Sequence, residues 1–371
     1  MSDKGRNQRK SKEEATMLTE SYAVLKKLCL PHGLYVASPS QDYRYVWIRD
    51  SVYMSLPHLN KSTHTYEKTF HRLFDLFLDY EWKLDWIAMQ RPHLAWEYLH
   101  ARYSHDQVKE VHHEEWGHIQ HDTIGAFLYG VGEGLKRGKP MLRDGRDARI
   151  VQKLVDYLDH IRYWEDADNG MWEEWREVHA SSVGACVAGL KAVERIVQLP
   201  DGLVEKGLQT LLALFPAESR DKTADLAQLS LIYPYRLFSG VLAETIVTAV
   251  EQRLLRERGV IRYEGDSYYS TLEAEHGRGQ PRSFYEGTEA EWTFGLPWLA
   301  LCHLELGQPE QARRYVRWSE DVMTEPGCLP ELYYQGTATP NVNTPLGWSC
   351  AMYILAKEAV FASERAAQHL A

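Results

Sequence analysis

The 371-residue chain predicts an all-α fold organised as one domain. Three observations predict it. Apolar side chains recur at helical spacing along nearly the whole chain, alternating strand-like runs are short and few, and no Pro- or Ser-rich linker divides the sequence. Length alone suggests two domains, since roughly 150 residues per domain is a common scale, but barrels often use the whole chain as one unit.

Taken in order, residues 1–10 read as a disordered polar arm and 11–371 as the helical domain. Leu18, Tyr22, Leu25 and Leu28 fall on one helix face, as do Tyr66, Phe70, Leu73, Phe74 and Phe77, and then Ile150, Leu154, Leu158 and Ile161. Further helices are expected near 117–136, 179–196, 240–256, 289–306, 309–323 and 344–364, for about twelve in all. Leu306-Gly307-Gln308-Pro309 has the grammar of a helix stop and restart. Val260 to Tyr269 is the best strand candidate and reads equally well as a loop.

Composition narrows the function. A net charge of −10 argues against a nucleic-acid backbone as partner. Twelve Trp and 22 Tyr suit a ligand with an apolar face fringed by hydroxyls, which describes a sugar, although a large helical core uses such residues too. Cys29, Cys186, Cys302, Cys328 and Cys350 are odd in number and scattered, as in a reduced intracellular protein. No apolar stretch follows the charged N-terminus and no run is long enough to span a bilayer. A cytoplasmic location with no membrane partner is therefore expected.

Five acid- and Trp-rich loops stand between the helices: Tyr43-Arg44-Tyr45-Val46-Trp47-Ile48-Arg49-Asp50; Trp116-Gly117-His118-Ile119-Gln120-His121-Asp122; Asp168-Asn169-Gly170-Met171-Trp172-Glu173-Glu174-Trp175-Arg176; Arg262-Tyr263-Glu264-Gly265-Asp266; and Leu329-Pro330-Glu331-Leu332-Tyr333, followed by Pro345-Leu346-Gly347-Trp348-Ser349. Breaking an acetal needs a proton on the leaving oxygen and an activated water or nucleophile on the far side, which two carboxyl groups with separated pKa values supply. Glu173, framed by Trp172 and Trp175, suits the protonated acid. Glu331, between Pro330 and Leu332, suits the second carboxylate. Singly, each is a common arrangement.

Together and in this order, the loops resemble glycoside hydrolase family 15, the glucoamylase and glucodextranase-like family: W-x-R-D, W-G-x-x-Q-x-D, G-x-W-E, R-Y, and P-E before L-x-W-S. The resemblance implies an (α/α)6 barrel, a toroid of six helical hairpins. It implies that Glu173 is the general acid and Glu331 the general base. It also implies substrate-binding roles for Tyr43, Trp47, Arg49, Asp50, Trp116, Glu174, Trp175 and Arg262. The activity implied is that of an inverting, exo-acting α-glucosidase. It would release β-glucose from the non-reducing end of short isomalto- or malto-oligosaccharides, with no cofactor. A trehalose-hydrolysing enzyme of the same family, a non-catalytic sugar-binding or regulatory domain on the same fold, and an isomerase resting on a His pair are the alternatives.

Two departures from the family pattern bear on the leaving-group side. The acid is followed by Glu174-Trp175-Arg176 where W-E-x-R is frequent, and Leu332 stands where Gln is common after the base. His112, His113, His118 and His121 fit no established zinc spacing, so no metal is expected. Trp292 and Trp298 are expected in the core, and Trp348 and Ser349 behind the base. Asp266, Glu286, Glu289 and Glu291 are rival carboxylates.

Overall fold

The computed structural model describes residues 3–111 and 116–370, with side chains described for 16–111 and 116–368. Helices dominate, as the sequence predicts. The strands among the described residues form two short antiparallel ribbons, Tyr45–Trp47 with Arg102–Ser104 and Glu291–Trp292 with Leu332–Tyr333. The chain divides into two compact units, each drawn from separate stretches of sequence. One comprises Leu30–Val36 and Arg44–Ile246; the other comprises Met1–Cys29, Ala37–Tyr43 and Val247–Ala371.

In the first unit, the Thr65–Asp79 helix buries its aromatic stripe completely. Phe70, Phe74 and Phe77 surround Phe127 of the His121–Lys136 helix with ring centroids 5.7, 5.0 and 4.8 Å away. Burying each such ring stabilises by about 1.5–3 kcal/mol before the entropy of ordering it is counted. The Gly145–Ile161 helix is capped by Asp144, whose side chain accepts from the Arg146 N–H, and it ends at Arg162 in the left-handed region.

The His121–Lys136 and Ala180–Val193 helices approach unusually closely. A Cβ at Gly125 would stand 2.2 Å from the backbone of Ala185, and one at Gly132 would stand 2.4 Å from that of Ala192. The two contacts advance in step, so the helices run parallel and their N-terminal ends lie together. The loops that enter those two ends carry Trp116 and Glu173.

In the second unit, the Asp3–Leu28 helix packs on the Gly347–Leu370 helix, and Tyr22 donates to Glu358 at 2.9 Å. The helix begins at Asp3, so the arm expected over 1–10 forms its first turns from there on. Its Arg, Gln and Lys residues have high helix propensity. Gly307, at φ +71°, ends the Gly295–Glu305 helix, and Pro309 starts Pro309–Asp321. The helix expected over 289–306 is shorter, because Glu291–Trp292 is a strand. Val260 to Tyr269 is mostly loop. Val260 alone bridges to Leu255 and Trp292, and Gly265 turns the chain at φ +78°.

All five cysteines are free thiols. Among the described residues, no helix is long and apolar enough to cross a membrane.

Candidate active site

Glu173 is held by residues from two other loops of the first unit. Trp47 Nε1 donates to Oε1 and Trp116 Nε1 donates to Oε2, each at 2.7 Å. Arg49 Nη2 lies 3.5 Å from Oε1. The frame expected from Trp172 and Trp175 is thus supplied by Trp47 and Trp116. Glu173 adopts φ +65°, a conformation uncommon for a side chain with a Cβ, which turns its neighbours elsewhere. Trp172 donates to Asp225, and Trp175 is 82% exposed on the surface. Packing drives the Glu173 carboxyl above its ordinary pKa, while Arg49, Trp116, Arg102 and Trp47 pull it back.

Local structure explains how the three loops meet. Trp47 and Arg102 face each other across the first ribbon, and the Arg102 guanidinium lies over the rings of Tyr45 at 4.4 Å and Trp116 at 4.3 Å. Asn169 clips the 116–122 loop to the 168–176 loop: its N–H donates to Ile119 O at 2.7 Å and its Oδ1 accepts from Ile119 N at 3.1 Å. Gly117 leaves room for the acid's own backbone, since a Cβ there would meet Glu173 O at 2.7 Å. The helix starting at Ile48 presents Arg49 and Asp50, both buried. Arg49 also donates to Gln120 at 2.8 Å and to Asp122 at 3.0 Å. Burial lifts Asp50 to about 7, against the pull of Arg49 and with a further push from Glu173. Glu174, next to the acid, pairs with Lys222 at 2.8 Å.

Glu331 lies in the second unit and is fixed through both its backbone and its carboxylate. Its N–H donates to Asn343 O at 3.1 Å, and its carbonyl accepts from Thr293 N at 3.1 Å. Oε2 accepts from Asn343 Nδ2 at 2.8 Å and from Asn341 Nδ2. Tyr43 also bonds the carboxylate and shares a 2.7 Å hydroxyl contact with Tyr268. Burial raises the Glu331 pKa; the donors Asn343, Tyr43 and Asn341, with the nearby Arg262 charge, oppose it. Arg262 forms a two-pronged pair with Asp266 at 2.6 and 2.7 Å.

The remaining sequence candidates find defined places. Asp266 is the buried partner of Arg262, Glu289 accepts from Gly265 N, Glu291 accepts from Arg258 N and Gly336 N, and Glu286 is exposed. Trp298 is core. Trp292, although buried, stacks on Tyr268 at 5.8 Å and lies beside Arg262, so it borders the Glu331 group. Ser349 donates to Pro330 O at 3.2 Å, directly behind the base, and Trp348 stacks on Phe294. Leu332 is fully buried on the second ribbon. His118 stacks on His100 and His121 bonds Asp166, whereas His112 and His113 lie outside the described residues. Sequence reasoning missed Arg102, Tyr268, Asn341 and Asn343. Only the Asn-x-Asn spacing offered a signal, since period two places both amides on one side of an extended segment, with exposed Val342 between them.

The family model of glycosyl hydrolases family 15 matches residues 17–285. The chain belongs to this family. Among curated relatives, this family 15 chain is similar to a probable phosphorylase b kinase regulatory subunit alpha of Caenorhabditis elegans. They are 27% identical over 285 residues, which is 65% of this chain and 23% of that protein. The chain thus spans about a quarter of that relative's length. Among solved structures, it is similar to a wild-type glycosidase with a TM-score of 0.78 and 19% identity, covering 95% of this chain and 98% of that one. It is also similar to the glucoamylase from Saccharomycopsis fibuligera, with a TM-score of 0.65, 15% identity and 95% of each chain covered. These likenesses show the fold of this family 15 chain, the helix-rich (α/α)6 class.

Proposed function

We propose that this family 15 protein is an inverting, exo-acting α-glucosidase of the cytoplasm. It releases single β-glucose units from the non-reducing end of short isomalto- or malto-oligosaccharides. Glu173 protonates the leaving oxygen, and Glu331 takes a proton from the attacking water. Arg49 and Asp50 grip the glycone, because an Arg fork and a carboxylate suit adjacent sugar hydroxyls. Tyr43, Trp47, Trp116 and Arg262 line its binding site, and Glu174 and Trp175 serve the leaving sugar.

The observation that carries this reading is the setting of Glu173. A partly open carboxyl, 23% exposed, is driven upward in pKa by packing, yet it is met by two indole N–H groups and an arginine that stabilise its charged form. A general acid needs both, a setting that favours the protonated form and donors that stabilise the carboxylate left once the proton has gone to the leaving oxygen. Burial raises the Glu331 pKa as well, and the donors Asn343, Tyr43 and Asn341 with the Arg262 charge oppose that rise, which supports the carboxylate form that a base needs.

A second reading, a sugar-binding regulatory domain without turnover, is favoured by the likeness to a kinase regulatory subunit. Glucose release from trehalose, maltose, isomaltose, nigerose, dextran and soluble starch separates the two and gives the linkage. Release abolished in Glu173→Gln and in Glu331→Gln supports hydrolysis by this pair. Full activity in both variants removes it, and binding without release by the unaltered protein favours the regulatory domain.

A further inference from the structure

Both chain neighbours of Glu173 are anchored to one short segment. The Trp172 indole N–H donates to Asp225 Oδ1 at 2.8 Å, and Glu174 Oε2 pairs with Lys222 Nζ at 2.8 Å. Lys222 Nζ is itself 3.8 Å from Asp225 Oδ2. Farther along the acid loop, Glu177 accepts from Ser219 Oγ at 2.9 Å. On its other side, Gly170 sits against the His179 ring, whose Nδ1 is 3.7 Å from Glu218. Lys222, Asp225 and Glu218 are all buried. The loop therefore rests on a bed of polar side chains drawn from His179 and 218–225.

The local backbone gives this bed something to do. Glu173 holds φ +65°, from which a residue with a Cβ relaxes unless its surroundings fix it. Trp172 on one side and Glu174 on the other are fixed to adjacent groups, so the peptide units flanking Glu173 have little freedom to rotate. A buried ammonium beside two carboxylates is well suited to this, because one charged group restrains both side chains at once.

We propose that Lys222 is a positioning residue. Together with Asp225 it clamps Trp172 and Glu174, keeps Glu173 in its strained conformation aimed at the leaving oxygen, and sets Glu174 for the leaving sugar. This deepens the assignment of Glu173 as general acid and rests on it. A lysine that only balanced buried charge would matter for stability and not for proton delivery.

The two roles separate with leaving group. A disaccharide needs its leaving oxygen protonated, whereas α-glucosyl fluoride loses fluoride without that help. In Lys222→Met, kcat on the preferred disaccharide falls at least ~10-fold with KM within ~3-fold, while kcat on α-glucosyl fluoride stays within ~3-fold. An equal fall on both substrates, or no fall on either, overturns the clamp. Should Lys222→Met fold poorly, the double variant Lys222→Met with Asp225→Asn removes one of the two buried carboxylates that the ammonium balances, leaves Glu174 unaltered, and carries the same comparison.

A second measurement is independent of turnover. Hydrogen exchange at the amides of Glu173 and Glu174, bonded to Gly170 O and Asn169 O, accelerates at least ~10-fold in Lys222→Met, as loss of the local restraint requires. Unchanged exchange overturns the clamp. If the unaltered protein hydrolyses neither substrate, the proposed activity fails, and the clamp stands or falls on the exchange result.

Discussion

Asn343 is bonded to Glu331 twice, by its backbone carbonyl, which accepts from the Glu331 N–H at 3.1 Å, and by its side-chain amide, which donates to the carboxylate at 2.8 Å. One residue thus sets both where the base sits and how its oxygens are turned. Replacing Asn343 by Ala keeps the backbone bond and removes the side-chain bond. A hydrogen bond to a charged group is worth about 1.5–3 kcal/mol, so kcat falls about 10–100-fold with little change in KM. Steady-state kinetics on the preferred disaccharide check this; an unchanged kcat contradicts it.

Trp47 and Trp116 stabilise the charged form of Glu173, which otherwise stands above its ordinary pKa. Trp47→Phe or Trp116→Phe removes one donor and drives that pKa further up. Activity requires the protonated acid, so the alkaline limb of the kcat/KM profile moves to higher pH by about one unit, at about 1.4 kcal/mol per unit. A limb that stays in place or moves to lower pH counts against the assignment.

Asp50 is lifted by burial to about 7 in the folded state, from an ordinary value of 3.8. Below the ordinary value both folded and unfolded chains carry the proton. Between that pH and about 7 the unfolded chain ionises first, so folding stability declines as pH rises, at a limiting slope of about 1.4 kcal/mol per pH unit. Asp50→Asn removes this contribution. Thermal unfolding from pH 4 to 7 should show the variant's Tm gaining on that of the unaltered protein as pH increases. A constant difference across that range contradicts the raised value.

Gly117 is required by contact with the acid's own backbone, since a Cβ would lie 2.7 Å from Glu173 O. Gly117→Ala forces the two loops apart. Overpacking of this kind costs about 1–3 kcal/mol. Because the displaced atoms belong to the acid, kcat should fall at least ~10-fold. Denaturant unfolding and kinetics together check this, and a variant with normal stability and kcat refutes the contact.

Elements with uninterrupted apolar stripes were legible in the sequence. Phe70, Leu73, Phe74 and Phe77 announce their helix because one face meets the core throughout, and Gly307 with Pro309 announces a stop and start through backbone chemistry alone. The candidate acid and base were legible only as members of five ordered loops. Arg102 and Tyr268 were not, because their partners Tyr45 and Tyr43 are distant in the chain and brought close by tertiary folding. Trp172 and Trp175 show the limit of adjacency. They flank Glu173 in sequence, but its positive φ lets Trp47 and Trp116 reach the carboxyl instead.

The central claim, inverting release of glucose by an acid and a base, is tested most directly by proton NMR of freshly formed product from the preferred α-glucoside. Water attacking opposite the departing sugar yields β-glucose first, with α-glucose growing in only by mutarotation. α-Glucose as the first product contradicts the mechanism.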